Sequence, residues 1–134
     1  MSDANRALVE RLCDALQNGG TTSLLTHLSP DIAYHNVPWP VVHGHEGVRK
    51  TLSPFIDGKG CAIVAMDIHH TVAEGDVVMN ARDETWQHGD VRAVLPVAGV
   101  FRIRDGLITH WSDYFDVNTL QPILDAMRAA RPAR

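Results

Sequence analysis

Three charged residues stand among large apolar neighbours in the second half of the chain. Val77 to Trp86 alternates as a strand does, which places Val78, Asn80, Arg82, Glu84 and Trp86 on one face. Arg82 and Glu84 are then same-face neighbours. In a later stretch Leu107, Thr109, Trp111, Asp113 and Phe115 share a face by the same rule, and in an earlier one Tyr34 and Asn36 share a face with Ile32. Paired carboxyl groups in opposite protonation states can take a proton from one atom while giving one to another. Burial and a nearby like charge hold one of them protonated near neutral pH. An arginine between them orients both and limits the cost of burying charge. The plain alternatives stand beside this reading. An Arg-x-Glu on a strand is more often a solvated ion pair, and an Asp near a strand end is more often a turn or cap residue. Tyr34 and Asn36 could be interior residues with satisfied hydrogen bonds.

Other chemistries find less support. His43-Gly44-His45 and His69-His70 match no metal-ligand spacing and have no cysteine beside them. Cys13 and Cys61 form no CxxC and read as reduced core residues. The chain has no GxSxG elbow, no P-loop and no GxGxxG. That argues against a serine hydrolase, a nucleotide hydrolase and a dinucleotide enzyme. No metal and no cofactor is expected.

These residues need elements to hold them. Leu8, Val9, Leu12, Cys13 and Leu16 recur at helical spacing, with Ser2 or Asp3 as cap and Asn18-Gly19-Gly20 as stop. A short helix is predicted over Ser23 to Leu28, a turn at Ser29-Pro30-Asp31, a strand over Ile32 to Val37 and a helix over Glu46 to Leu52. Cys61 to Val72, Val77 to Trp86, Val91 to Arg104 and Leu107 to Phe115 then read as successive strands. Glu74-Gly75-Asp76, His88-Gly89-Asp90 and Asp105-Gly106 separate them as hairpin turns. A last helix fits Thr119 to Ala129, with Asn118 and Gln121 as capping pair. Helices followed by a long meander predict an α+β fold in one domain spanning 1–134, a curved antiparallel sheet wrapped by N-terminal helices into a cone with one open mouth. Such a cavity suits a small ligand.

Composition sets the remaining bounds. The chain has 134 residues, 45% hydrophobic and 21% charged, with formal net charge −4. Its charges are scattered, with no basic stripe to hold a phosphate backbone, so no nucleic-acid partner is expected. The N-terminus lacks the pattern of a signal peptide, and no apolar stretch approaches the ~20 residues of a membrane span. A cytoplasmic protein without membrane partners is the expectation.

The stretch Tyr34-His35-Asn36-Val37-Pro38-Trp39-Pro40, followed by Gly44, resembles the Tyr-x-Asn-x-Pro-x-Pro…Gly segment of limonene-1,2-epoxide hydrolases. Leu95-Pro96-Val97-Ala98-Gly99-Val100-Phe101 resembles the family's strand ahead of its last hairpin. Asp105-Gly106 followed by Trp111-Ser112-Asp113-Tyr114-Phe115-Asp116 is similar to its closing motif. The match runs from about residue 30 to 116. The wider superfamily, which resembles nuclear transport factor 2 and ketosteroid isomerase, shares the cone and hosts many activities. The resemblance implies an Arg-x-Asp pair on a middle strand. Ungapped counting from Phe101 puts Arg82 on the Arg and Glu84 on the Asp, so Glu replaces Asp. A shifted alignment would put Asp83 on the acid with Ala81 in place of the Arg.

The resemblance further implies addition of water to a small lipophilic epoxide without cofactor or covalent intermediate. Asp113 would be the ionised base, Tyr34 and Asn36 would hold the water, Glu84 would be the protonated acid and Arg82 would bridge the two. It also implies a homodimer through the outer face of the sheet. Trp39, Trp86, Trp111, Phe101 and Phe115 are candidates for an apolar pocket wall. Two other readings remain open on the same fold: an isomerase or cyclase of the ketosteroid-isomerase or polyketide-cyclase kind, and a non-catalytic binding or dimerisation module.

Overall fold

The hairpin signals define the centre of the molecule. In the computed structural model, which describes residues 2–130, β3 (Cys61–Glu74), β4 (Val77–His88), β5 (Val91–Arg104) and β6 (Leu107–Tyr114) form a continuous antiparallel meander. Each connection is a two-residue turn. Asp105 and Gly106 both have positive φ, 52° and 77°, which is the backbone of a type I′ turn and explains the Asp-Gly pair. β1 (Leu28–Asn36) joins the sheet beside β6 and is parallel to it, so the sheet is mixed rather than wholly antiparallel. The two-residue β2 (Val42–His43), which the sequence reading did not include, pairs with Ala33 and Tyr34 on the free edge of β1. The full order is β2-β1-β6-β5-β4-β3.

Helices α1 (Ser2–Asn18), α2 (Gly20–Leu25), α3 (Gly44–Ile56) and α4 (Val117–Ala129) cover the concave face of this curved sheet. The predicted face of α1 is the buried one: Leu8, Val9, Leu12, Cys13 and Leu16 all enter the core. Ser2 and Asp3 are the first two residues of α1. Core burial of this kind contributes roughly 1.5–3 kcal/mol per large aliphatic side chain. α1 packs on β3, α4 on β5 and α3 on β1, so three helices are spread across the sheet from one edge towards the other.

Several expected boundaries move. The short helix occupies Gly20–Leu25 and not Ser23 to Leu28, because Leu28 is fully committed to the core as the first residue of β1. Ser29-Pro30-Asp31 is strand and not turn. Pairing between β1 and β6 is interrupted between Leu28 and Ala33, so the missing N–H of Pro30 breaks no regular ladder. α3 runs past the expected Glu46–Leu52 and contains Pro54 near its end. α4 starts at Val117, capped by the Asp116 carboxylate accepting from the Asn118 N–H at 2.9 Å, so Asn118 and Gln121 are not its capping pair. On β6, Arg102 pairs with His110 but Ile103 with Ile108, which leaves Thr109 as an extra residue. This bulge shifts the alternation by one. Ile108, not Leu107 or Thr109, is buried with Trp111 and Asp113.

Candidate functional site

Alternation along β4 is regular from end to end: Val78, Asn80, Arg82, Glu84 and Trp86 are all buried, and the residues between them are not. The sheet register then brings distant residues together. Asn80 pairs with Gly99 on β5, Gly99 pairs with Asp113 on β6, and Asp113 pairs with Asn36 on β1. Arg82, two residues along from Asn80, reaches diagonally over Gly99 to Asp113. It can do so only because position 99 lacks a side chain. A Cβ there would stand 2.5 Å from Arg82 Nη1 and 2.9 Å from Asn80 Oδ1.

The Arg82 side chain is 0% exposed and every guanidinium nitrogen is used. Nε donates to Glu84 Oε2 at 2.9 Å, Nη2 to Asp113 Oδ2 at 2.8 Å and Nη1 to Asn80 Oδ1 at 2.8 Å. The remaining carboxylate oxygens also have donors. Trp86 Nε1 donates to Glu84 Oε1 at 3.1 Å, and Trp111 Nε1 donates to Asp113 Oδ1 at 2.9 Å. Tyr34 Oη lies 3.2 Å from Asn36 Oδ1 and 3.0 Å from Asn36 Nδ2. The Tyr34 ring lies against Trp111 at a tilt of 30°, with ring centroids 4.3 Å apart. Thus Arg82, Glu84, Asp113, Tyr34 and Asn36 lie together, and Arg82 bridges the two acids.

The electrostatics follow from burial. Desolvation raises the pKa of the Glu84 carboxyl; Arg82 pulls it down, and the Asp113 charge pushes it up again. For Arg82 burial opposes the charge, but Asp113 and Glu84 outweigh it and hold the guanidinium firmly protonated. The Tyr34 phenol is pushed well above its ordinary value, first by burial and then by Asp113, so it stays neutral and can both donate and accept. One guanidinium between two buried carboxyl groups is best neutralised when one carboxyl keeps its proton.

Glu84 and Asp113 open onto a pocket with about 60 Å³ of room for the centre of a water-sized sphere. Its wall is almost wholly apolar, with Leu16 from α1, Leu52 and Phe55 from α3, and Leu120 from α4 facing the sheet. Among the expected wall residues, Trp39, Trp86, Trp111 and Phe115 line it. Phe101 does not: it is fully buried behind Trp111, with ring centroids 6.0 Å apart.

Asp83 faces away from the pocket, on the outer side of β4, where its Oδ2 lies 3.0 Å from His69 Nε2. Glu84 is therefore the acid beside Arg82. The histidines lie elsewhere: His45 Nε2 is 3.0 Å from the Leu28 carbonyl, and His43 is exposed. Among the described residues no three His, Cys, Asp or Glu side chains converge as a metal site requires. Cys13 and Cys61 are free and buried, and burial pushes both thiols up to about 11. No helix among the described residues is long and apolar enough to cross a membrane.

Sequence reasoning missed four contributors: Asn80, Gly99, and the indole N–H donors of Trp86 and Trp111. The signal for Asn80, Trp86 and Trp111 was present, since each sits two residues from a charged member on the same strand face. Gly99 needed the register between strands, which no single stretch of sequence carries.

The chain is similar to known proteins over nearly its whole length. It is 34% identical over 109 residues to epoxide hydrolase EphG of Mycobacterium tuberculosis, covering 81% of this chain and 71% of that one. A solved M. tuberculosis LEH-like epoxide hydrolase superposes with a TM-score of 0.79 at 29% identity, covering 96% of this chain and 95% of the other. An NTF2-like protein of unknown function from Cytophaga hutchinsonii shares the fold at 18% identity, with a TM-score of 0.69 over 87% of this chain and 94% of its own. The family model described as the limonene-1,2-epoxide hydrolase catalytic domain matches residues 3–127, and the chain belongs to that family.

Proposed function

We propose that the protein hydrolyses a small lipophilic epoxide to a vicinal diol by direct attack of water, without cofactor or metal. The observation that carries this reading is Arg82, fully buried, bridging Glu84 and Asp113 at the base of an apolar pocket. Opening an epoxide breaks one C–O bond and forms another. A base alone would leave an alkoxide, and an acid alone would leave a poor nucleophile. Asp113 takes a proton from water as the water oxygen attacks carbon. Glu84, whose burial favours the protonated form, gives its proton to the departing epoxide oxygen. Tyr34 and Asn36 hold the water: Asn36 is the register partner of Asp113, and the Tyr34 phenol stays neutral. Arg82 remains charged throughout and keeps both acids aimed into the pocket.

The reading is supported by family membership and by the names of its relatives, EphG and the LEH-like enzyme, both described as epoxide hydrolases. An isomerase or cyclase would use a single carboxylate as base on a carbon acid and has no need of the Arg82 bridge. A binding or dimerisation module would gain nothing from two carboxyl groups set in an apolar pocket. The test is diol formation from a panel of cyclic and terminal epoxides. Turnover of at least one is expected, with Asp113→Asn and Glu84→Gln each nearly inactive. Diol formed at the wild-type rate by folded Asp113→Asn would overturn the assignment.

The same reading includes a homodimer through the outer face of the sheet, where Val72, Met79, Val94 and Tyr114 are exposed. Sedimentation equilibrium at micromolar concentration tests it, with a monomer mass as the contrary result.

A further inference from the structure

The two acids of this site are held in matching ways. Asp113 lies between Arg82 and the indole of Trp111; Glu84 lies between Arg82 and the indole of Trp86. In each case the tryptophan stands two residues from the acid on the same face of the same strand. The Glu84 side has a particular need for the second tether. Glutamate has one more rotatable bond than aspartate, and a longer carboxyl samples more positions unless both oxygens are fixed. Arg82 Nε fixes Oε2 at 2.9 Å, and Trp86 Nε1 fixes Oε1 at 3.1 Å. The indole is itself locked. Phe55 of α3 meets its ring edge-on, at a centroid distance of 5.4 Å and an interplanar angle of 88°. Its cross-strand partner is the small Ala93.

Resting on the epoxide-hydrolase reading above, we infer that Trp86 is the positioning residue of the general acid: its indole N–H holds the longer Glu84 carboxyl where an aspartate would need no such tether. Trp86 acts through Glu84, and its ring also forms part of the pocket wall. The N–H donates to a carboxylate more strongly than to a neutral acid. It therefore opposes the burial that keeps Glu84 protonated and sets how far up in pH the acid stays usable. The other charged or titratable groups around Glu84 are Arg82 on its own strand, Asp113 on β6, Tyr34 on β1 and Cys13 on α1. α3 presents Leu52 and Phe55 to the pocket, and β5 presents Leu95 and Val97, none of which titrates.

Trp86→Phe separates the tether from the wall, since it keeps an aromatic ring and removes the N–H. Three changes are expected together. Glu84, followed by 13C carboxyl NMR, titrates at higher pH in Trp86→Phe, by about one unit, the usual effect of a charge-assisted hydrogen bond lost from the ionised form. The alkaline limb of the kcat profile moves up by the same amount. Plateau kcat falls about ten-fold while KM for a small epoxide changes little, as for an interaction that matters at the transition state. The Glu84→Asp, Trp86→Phe double variant closes a cycle: the two losses are not additive, because the shorter acid does not use the indole. In the wild type, the indole 15N–1H resonance of Trp86 shifts with the titration of Glu84, which tests the contact without any variant. An unmoved Glu84 titration in Trp86→Phe, or an indole resonance blind to it, would overturn the inference. These NMR results do not depend on turnover. Absence of diol from every epoxide would therefore count against the proposed function and leave the role of Trp86 to be decided by the titrations.

Discussion

Gly99 carries no chemistry, yet the charged cluster depends on it. Its missing side chain is the space through which Arg82 reaches Asp113, and the neighbour a Cβ would strike is a guanidinium nitrogen already bonded to Asn80. Arg82 cannot swing aside without breaking one of its buried bonds. Gly99→Ala should therefore lose roughly 1–3 kcal/mol of stability, as overpacked sites do. It should also lose at least ten-fold in kcat, read by urea unfolding and by turnover. Wild-type stability and kcat in that variant would show that the guanidinium is more tolerant than its contacts imply. Glu84 supplies a second prediction at this scale. Its folded pKa is raised, so its contribution to stability is complete below the unfolded carboxyl value of about 4.3 and is lost as pH rises through the folded pKa. The wild type should lose stability over that window relative to Glu84→Gln, whose amide does not titrate. Urea midpoints collected between pH 4 and 8 check this; parallel curves for the two proteins would contradict it.

At the scale of elements, much of the site was readable in advance because β4 obeys a single rule along its length. Alternation put Arg82 and Glu84 on one face, and that face is the buried one. The ends of elements were less readable, because their causes lie elsewhere in the fold. Leu28 looks like the close of a helix until its burial in β1 is known, and Pro30 looks like a turn until the interrupted ladder beside it is seen. Thr109 shifted the expected face of β6 because a bulge is a property of a strand pair. The start of α4 moved to Val117, after Asp116, whose carboxylate caps the helix and so fixes where Leu120 enters the pocket. Asp116→Ala should cost about 1 kcal/mol, the usual loss for a removed N-cap. Urea unfolding measures it, and an unchanged midpoint would mean that packing on β5 alone sets the start of α4.

At the scale of the whole molecule, the fold supplies concavity and the residues supply the reaction. Proteins sharing this architecture at under a fifth identity, such as the Cytophaga hutchinsonii chain, demonstrate the shape and not the chemistry. What is particular here is a largely apolar pocket lined by two acids that share one arginine, with Tyr34 and Asn36 at the side of Asp113. In the proposed function water is the nucleophile. A covalent route would instead use Asp113 or Glu84 to attack carbon and form an ester that water later cleaves. The two routes differ in the source of the new oxygen. A single turnover in heavy-oxygen water, with enzyme in excess over epoxide, distinguishes them by mass spectrometry of both diol and protein. Direct attack predicts diol labelled from the first turnover and protein without label. Unlabelled diol, with heavy oxygen retained in Asp113 or Glu84, would contradict the account and make that carboxylate the nucleophile.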